Sequence, residues 1–108
     1  QDALNELAYM YYTGNGVVQD FEKGAEMFLE AAYKGSNLAQ YNVGLIYYSG
    51  DGFDGVDLKS AFAWIAIAAT NGNQQALTAL NYLKTTLSEE ELVAAQEHGY
   101  TLWEQVSK

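Results

Sequence analysis

An internal repeat of about three dozen residues constrains this chain more than any other feature. Sliding the sequence by 36 residues places segment 3–17, ALNELAYMYYTGNGV, on segment 39–53, AQYNVGLIYYSGDGF. Each segment carries two consecutive tyrosines, followed by a Gly-x-Gly pair at the same places. A unit of this length that recurs is typical of proteins that stack one supersecondary motif on the next.

The repeat divides the chain into a first unit at residues 1–36, a second at 37–73 and a degenerate third segment at 74–108. The second unit has one additional residue after its glycine pair, so the offset there becomes 37. In the third segment Asn81 takes the place of Gly44, and no Gly-x-Gly pair follows. We predict one domain of three units, the last of which has drifted.

Each unit is predicted to form two helices joined by a glycine turn. Ala39, Val43 and Tyr47 recur at helical spacing and form one buried face. Gly50 would end that helix in a left-handed conformation, and Asp57 would cap the start of the next. The other predicted caps are Asp20, Ser36 and Asn73. The fold class is therefore all-α, a superhelix (solenoid) of about three helix–turn–helix repeats.

The last segment, from Ser88 onward, predicts a longer capping helix. Ser88 and Glu91 have the spacing of a capping box, in which each residue bonds the other's backbone amide. The apolar stripe of this helix consists of Leu92, Ala95, Gly99, Trp103 and Val106. A terminal unit needs a polar outer face, which accounts for its deviation from the repeat.

The repeat pattern resembles that of the Sel-1-like repeat family, a relative of the tetratricopeptide repeats. The pattern is A-x-x-x-(L/V)-(A/G)-x-x-Y-Y-x-G-x-G-(V/F), then Asp, then Ala-Ala-x-x-Gly, and it occurs in both of the first two units. The departures are the inserted residue near Gly55, Gly24 where alanine is usual, and the missing third glycine pair. The resemblance implies an adaptor or scaffold that assembles protein complexes, as in many bacterial members.

The charge balance excludes several classes of partner. The chain has 14 acidic residues against 5 lysines and no arginine, a net charge of −9. Nucleic-acid binding requires cationic side chains on phosphates, and an anionic membrane surface would be repelled. We predict a protein or peptide partner, preferably basic, with no nucleic acid. No segment has the apolar length needed for membrane insertion.

The chain begins inside a repeat and carries no signal-peptide pattern. We therefore expect a processed or excised segment of a soluble protein. The sequence leaves the cytoplasm and the periplasm equally open as its compartment.

The inner surface of such a superhelix is lined by the first helix of each pair. The residues predicted to point inward are Asn5, Tyr9, Tyr12, Tyr41, Leu45, Tyr48, Thr78, Tyr82 and Thr85. Five are tyrosines, and none is charged. Tyrosine combines a large apolar surface with a polar tip and suits protein interfaces. The predicted function is a non-enzymatic adaptor that binds a peptide or partner helix along this groove.

Two alternatives accompany this prediction. Tyr12 and Tyr48 recur at the same repeat position, so they can equally be core residues beneath their own glycine loops. Tyr9, Tyr41 and Tyr82 are the stronger binding candidates because their repeat equivalents vary. The second function hypothesis is structural: the chain extends a longer solenoid, and its exposed first face packs on a neighbouring repeat.

The sequence offers little catalytic machinery. His98 is the single histidine and has no HExxH spacing, so we interpret it as a surface or partly packed residue. A few relatives carry claims of β-lactamase activity, which makes such an enzyme the remote alternative. No Ser-x-x-Lys motif is present, so that chemistry lacks its nucleophile arrangement. The glycine pairs lack the lysine of a phosphate-binding loop. We predict no cofactor.

Two acidic groups could be taken for functional sites. Asp51, Asp54 and Asp57 in DGFDGVD could offer oxygens to calcium, but their spacing is not that of an EF-hand. Asp57 is also explained as a helix cap. The predictions therefore include no metal. A second acidic row follows one helical face and ends in a lysine, as is usual for a solvated exterior. This row consists of Glu22, Glu26, Glu30 and Lys34.

Overall fold

The structure is a computed structural model that describes residues 2–106. Across that range it contains six helices and no strand, which confirms the all-α prediction. The helices are α1 (Asp2–Thr13), α2 (Phe21–Tyr33), α3 (Asn37–Ser49), α4 (Leu58–Thr70), α5 (Gln74–Thr86) and α6 (Glu89–Val106).

The helices stack in chain order as two repeated pairs, α1 with α2 and α3 with α4, followed by α5 and α6. α1 packs on α2 and α3 packs on α4, while α2 contacts α3 and α4 contacts α5 across the unit boundaries. The buried residues form two apolar clusters. One is centred on α2, α3 and α4 and includes Phe28 and Trp64; the other joins α4 to α5 and α6 through Ile65 and Leu83. Stacking therefore buries two apolar clusters, both of which include residues of α4.

Short polar side chains start the helices where the sequence predicts. The Asp20 carboxylate accepts the Lys23 N–H at 3.0 Å, and Asp57 accepts the Ser60 N–H at 3.1 Å. The same kind of cap is made by Ser36, Asn73 and Ser88. Gly50 ends α3 with φ +85°, a conformation that side chains disfavour. Each of these predicted caps is confirmed.

The two glycine loops close at equivalent points despite their different lengths. The Asp20 N–H donates to the Tyr11 carbonyl at 2.8 Å, and the Asp57 N–H donates to the Tyr47 carbonyl at 2.9 Å. In the longer loop Phe53 stacks on Tyr47, with ring centroids 4.3 Å apart. The inserted residue is therefore accommodated inside the loop, and the repeat register is recovered before α4 begins.

Where two helices cross closely, a glycine without a Cβ makes room for the other helix. A Cβ at Gly44 would clash with Cγ1 of the buried Ile65 and lie 3.2 Å from the Ala61 carbonyl oxygen. In the first pair the roles are exchanged, because a Cβ at Gly24 would lie 2.9 Å from the Ala8 carbonyl oxygen. Gly24 thus departs from the usual alanine where α1 and α2 approach most closely.

The final helix is placed differently from α2 and α4. It packs along α4 and makes little contact with α5, the helix that precedes it. At Gly99 an added Cβ would lie 3.9 Å from the Ala63 Cβ, an ordinary contact distance. Beyond this point Leu102 and Val106 enter the cluster centred on α2, α3 and α4. The helix therefore closes the core by lying on the preceding pair.

Candidate functional site

Exposed tyrosines lie on the first helix of successive units. Tyr9 is 58 % exposed on α1, Tyr48 41 % on α3, and Tyr82 59 % on α5. Leu45 on α3 is 39 % exposed, and Thr78 on α5 is exposed as well. We call these five residues the tyrosine surface. All belong to the group that the sequence predicts to point inward.

Tyr48 and Tyr82 join α3 to α5 within this surface. A hydrogen bond with the Tyr82 hydroxyl, together with its charge and slight burial, raises the pKa of Tyr48 above its ordinary value. The two phenol hydroxyls are therefore close to each other on the exposed side of α3 and α5. Since Tyr48 is 41 % exposed, the alternative core role does not describe it.

Three predicted binding residues are used within the fold. Asn5 is only 8 % exposed, and its Nδ2 donates to the Ser36 Oγ at 2.9 Å. Tyr12 packs edge-on against Phe21, with ring centroids 4.9 Å apart, as the core alternative anticipates. Tyr41 is half-buried against the cluster that joins α4 to α5 and α6. These side chains face neighbouring helices because the first helix of a unit also packs against a helix of the adjacent unit, as α3 does on α2 and α5 on α4.

The tyrosine surface carries few charges: Glu6 lies beside Tyr9 at one end, and most other carboxylates lie on other helices and loops. α3 contains no charged residue, and α5 contains only Lys84. α2 carries three glutamates and α6 carries five. Glu30 and Lys34 form an ion pair of 3.3 Å with both side chains 57 % exposed, which confirms that this row is solvated. Most carboxylates of the described residues therefore lie outside the apolar and hydroxyl-bearing surface.

A serine, an aspartate and a histidine meet at the start of α4. The Ser60 hydroxyl donates to Asp57 Oδ2 at 2.8 Å, and His98 Nε2 lies 3.5 Å from the same hydroxyl. Burial raises the pKa of Asp57, but the Ser60 hydrogen bonds, Lys59 and His98 outweigh it, so the net pKa is lowered. Because the hydroxyl donates its proton to the carboxylate, His98 can only be the donor in its contact with Ser60. The group is therefore a helix cap and not a nucleophile–base arrangement.

The acidic loop of the second unit lies beside Tyr47. Burial raises the pKa of Tyr47 first, and the charges of Tyr33, Asp57 and Asp54 raise it further. Over residues 2–106 no group of three or more His, Cys, Asp or Glu side chains is arranged to hold a metal ion. The Asp57 carboxylate accepts the capping hydrogen bonds of α4.

Sequence reasoning assigned no role to Gln40, which is 0 % exposed. Its Nε2 donates to the Ala32 carbonyl at 3.1 Å, and its Oε1 accepts from Asn71 Nδ2 at 3.1 Å. This amide thus links α2, α3 and the end of α4. The available signal was a glutamine beside Ala39 on an otherwise buried helical face.

Comparison with known proteins places the repeat pattern in a described family. The Sel1 repeat model matches residues 1–36 and 37–73. No curated protein matches the sequence. None of the helices within residues 2–106 has the length and apolar character to cross a membrane.

Two solved structures show the same architecture. The crystal structure of c5321, a protective antigen present in uropathogenic Escherichia coli strains that displays an SLR fold, is 30 % identical with a TM-score of 0.91. The match covers 96 % of this chain and 22 % of that one. A Sel1 repeat protein from Oxalobacter formigenes is 27 % identical with a TM-score of 0.75, over 97 % of this chain and 46 % of that one. This chain thus spans less than half of either structure.

Proposed function

Because the chain belongs to the Sel1 repeat family, whose members are generally protein-interaction scaffolds, we propose that it binds a peptide or partner helix along the tyrosine surface. The observation that carries this proposal is the exposure of Tyr9, Tyr48 and Tyr82 on three first helices. A large aromatic side chain left uncovered on a helix loses the free energy that burial would supply. A partner that covers these rings recovers it.

The chemistry of the surface defines the kind of contact. Tyrosine rings bury large areas and keep a hydroxyl for hydrogen bonding, which makes tyrosine common among energetically dominant interface residues. The net charge of −9 favours association with basic partners by electrostatic steering. We propose no catalytic role, because the serine nearest a histidine, Ser60, is bound to the capping carboxylate of Asp57.

The test is selection of binding peptides from a displayed library of random dodecapeptides, followed by fluorescence anisotropy with labelled synthetic copies. The double substitution Tyr48→Ala/Tyr82→Ala should weaken binding by about tenfold or more, since it removes two adjacent aromatic contacts. Circular dichroism should show an unchanged helical content, because both side chains are substantially exposed.

The matched control is Tyr100→Ala, which removes a tyrosine that is 75 % exposed on α6, outside the tyrosine surface. Its affinity for the selected peptides should equal that of the unmodified chain. Peptides that bind the double variant as tightly as the unmodified chain would overturn the proposal, as would a selection that enriches no sequence.

A second candidate function rests on the uncovered face of α1. Leu7 is 39 % exposed, whereas Val43, at the same repeat position in α3, is fully buried against the preceding unit. The same contrast separates the exposed Ala3 from the buried Ala39. This face would suit a neighbouring Sel1 repeat, and the chain would then act as one section of a longer scaffold.

Sedimentation velocity over a range of concentrations tests this second role. If the α1 face is built for another repeat, the chain should self-associate, and Leu7→Ser should return it to the monomer. A chain that remains monomeric at high concentration argues against the role. This measurement leaves the peptide-binding test unaffected, because Leu7 lies outside the tyrosine surface.

A further inference from the structure

A groove of about 540 Å³ opens between α1 and α3 at the Tyr9 end of the tyrosine surface. Its apolar walls include Tyr9, Leu38 and Phe28, and its polar lining includes Asn5, Glu6 and Asn42. No lysine lines it. The groove therefore combines aromatic and aliphatic walls with amide groups and one carboxylate.

Asn5 contains an unsatisfied polar atom at this position. Asn5 is only 8 % exposed, and its Nδ2 donates a hydrogen bond to the Ser36 Oγ. Oδ1 is the one buried side-chain oxygen or nitrogen, in the part of the chain that the structure describes, that lacks a hydrogen-bond partner. A buried acceptor without a donor costs free energy. Oδ1 has almost no accessible surface, so a ligand N–H reaches it only when the Asn5 side chain turns toward the groove.

Glu6 adds a charge at the same groove. The Glu6 side chain is exposed, and the lining of the groove contains no lysine or arginine. The side-chain amide of Asn42 lies on the same lining. The groove thus offers hydrogen-bond acceptors and a negative charge, with no lysine or arginine on its lining. A cationic group with several N–H donors would complement it.

We propose that this groove receives an arginine side chain of the bound partner, an inference that rests on the proposed function. A guanidinium carries five N–H donors in a plane and no acceptor. It pairs with a carboxylate such as Glu6, donates to the Asn42 amide oxygen, and stacks on an aromatic face such as Tyr9. A turn of the Asn5 side chain toward the groove would add Oδ1 as a further acceptor. The aliphatic stem packs against Leu38.

Lysine fits this groove less well. Its ammonium is compact and strongly hydrated, and it cannot stack in a plane on the Tyr9 ring while donating to two separate acceptors. The chain itself has no arginine, so no guanidinium of its own can occupy the groove. The geometry points to arginine as the recognised residue.

The experiment titrates the ¹⁵N-labelled chain with N-acetyl-argininamide and follows the side-chain amide signals of Asn5 and Asn42 by NMR. Both signals should shift in a saturable manner, with a dissociation constant in the millimolar range that suits so small a ligand. The neutral analogue N-acetyl-citrullinamide should shift them far less, because it lacks the charge that Glu6 recognises. N-acetyl-lysinamide should fall between the two.

Glu6→Gln should weaken argininamide binding by about threefold, as expected for an exposed charge pair. The matched control Glu104→Gln removes one negative charge from an exposed position on α6 and should leave binding unchanged. Equal effects of the two substitutions, or equal shifts with the citrulline analogue, would overturn the inference. Folding of Glu6→Gln is verified from its unchanged backbone spectrum.

The outcome is separable from that of the proposed function. If selected peptides bind the tyrosine surface but tolerate replacement of arginine by citrulline, the arginine inference fails and the proposed function stands. If no peptide binds while argininamide still shifts the Asn5 and Asn42 signals, the proposed function fails, but the groove still binds the arginine side chain.

Discussion

The first two helix pairs and the last two helices differ at the point where the helices of a pair cross. In the first pair the crossing holds Ala8 and Gly24, and in the second it holds Gly44 and Ala61, so each contains one glycine and one alanine. At the corresponding places the end of the chain has Asn81 on α5 and Leu92, four residues after the cap of α6.

This difference explains where α6 lies. Two helices can approach at the distance seen in the first pairs only if the crossing side chains are very small. Asn81 is exposed and Leu92 is half-buried, so α5 and α6 do not form that crossing. α6 instead lies along α4, with Gly99 next to Ala63. A loss of small residues thus converts a repeat into a cap.

The strongest test of this difference between the helix pairs compares two single substitutions at equivalent repeat positions, Gly44→Val and Asn81→Val. The valine at position 44 would meet the buried Ile65 and the backbone of α4, which should lower the free energy of unfolding by about 3 kcal/mol. At position 81 the side chain faces solvent, and valine and asparagine have similar helix propensities, so the change should stay within about 0.5 kcal/mol. Urea unfolding followed by circular dichroism measures both.

Similar costs at both positions would contradict this account, because the repeat positions would then be packed alike. A small cost at both would mean that α3 and α4 can separate without loss, and that the glycine is not required for the crossing.

The next largest effect concerns Gln40 and its repeat equivalent Leu77. Gln40→Leu should destabilise the chain by about 2 kcal/mol, because the Ala32 carbonyl and the Asn71 amide lose their buried partner. Leu77 is 45 % exposed, so Leu77→Gln should change stability by less than about 0.5 kcal/mol. Thermal and urea unfolding give both values. A neutral Gln40→Leu would show that the buried network contributes nothing net.

The smallest effect is a pH dependence at the start of α4. Because the pKa of Asp57 is lowered in the folded chain, its charge stabilises the fold above the unfolded pKa of about 3.9, and that contribution is lost as pH falls through the folded value. Asp57→Asn keeps a capping acceptor without the charge. The unmodified chain should lose about 0.5 kcal/mol more than Asp57→Asn between about pH 5 and pH 2.

Urea unfolding at each pH measures this difference, and the remaining carboxylates provide a background common to both proteins. Parallel pH profiles would show that the hydrogen bonds from Ser60 do not distinguish the charged carboxylate from a neutral amide.

Local features were predictable because they depend on neighbours in the chain. The caps at Asp20, Asp57 and Ser88 and the left-handed Gly50 follow from backbone groups a few residues away. The binding surface was less predictable. Asn5 shares its repeat position with Tyr41, yet its burial depends on Ser36, which lies 31 residues away in the sequence. Periodicity identifies a face of a helix but not which neighbour covers it.

The sequence by itself determined the repeat, the helices, their caps and the family, since each is a matter of spacing and local hydrogen bonding. The tertiary structure alone decided that α6 lies on α4, that Gln40 links three helices, and that Tyr48 stays exposed while Tyr12 packs against Phe21. These outcomes depend on how closely helices approach each other. That distance is set by the volumes of side chains far apart in the chain, which no single repeat contains.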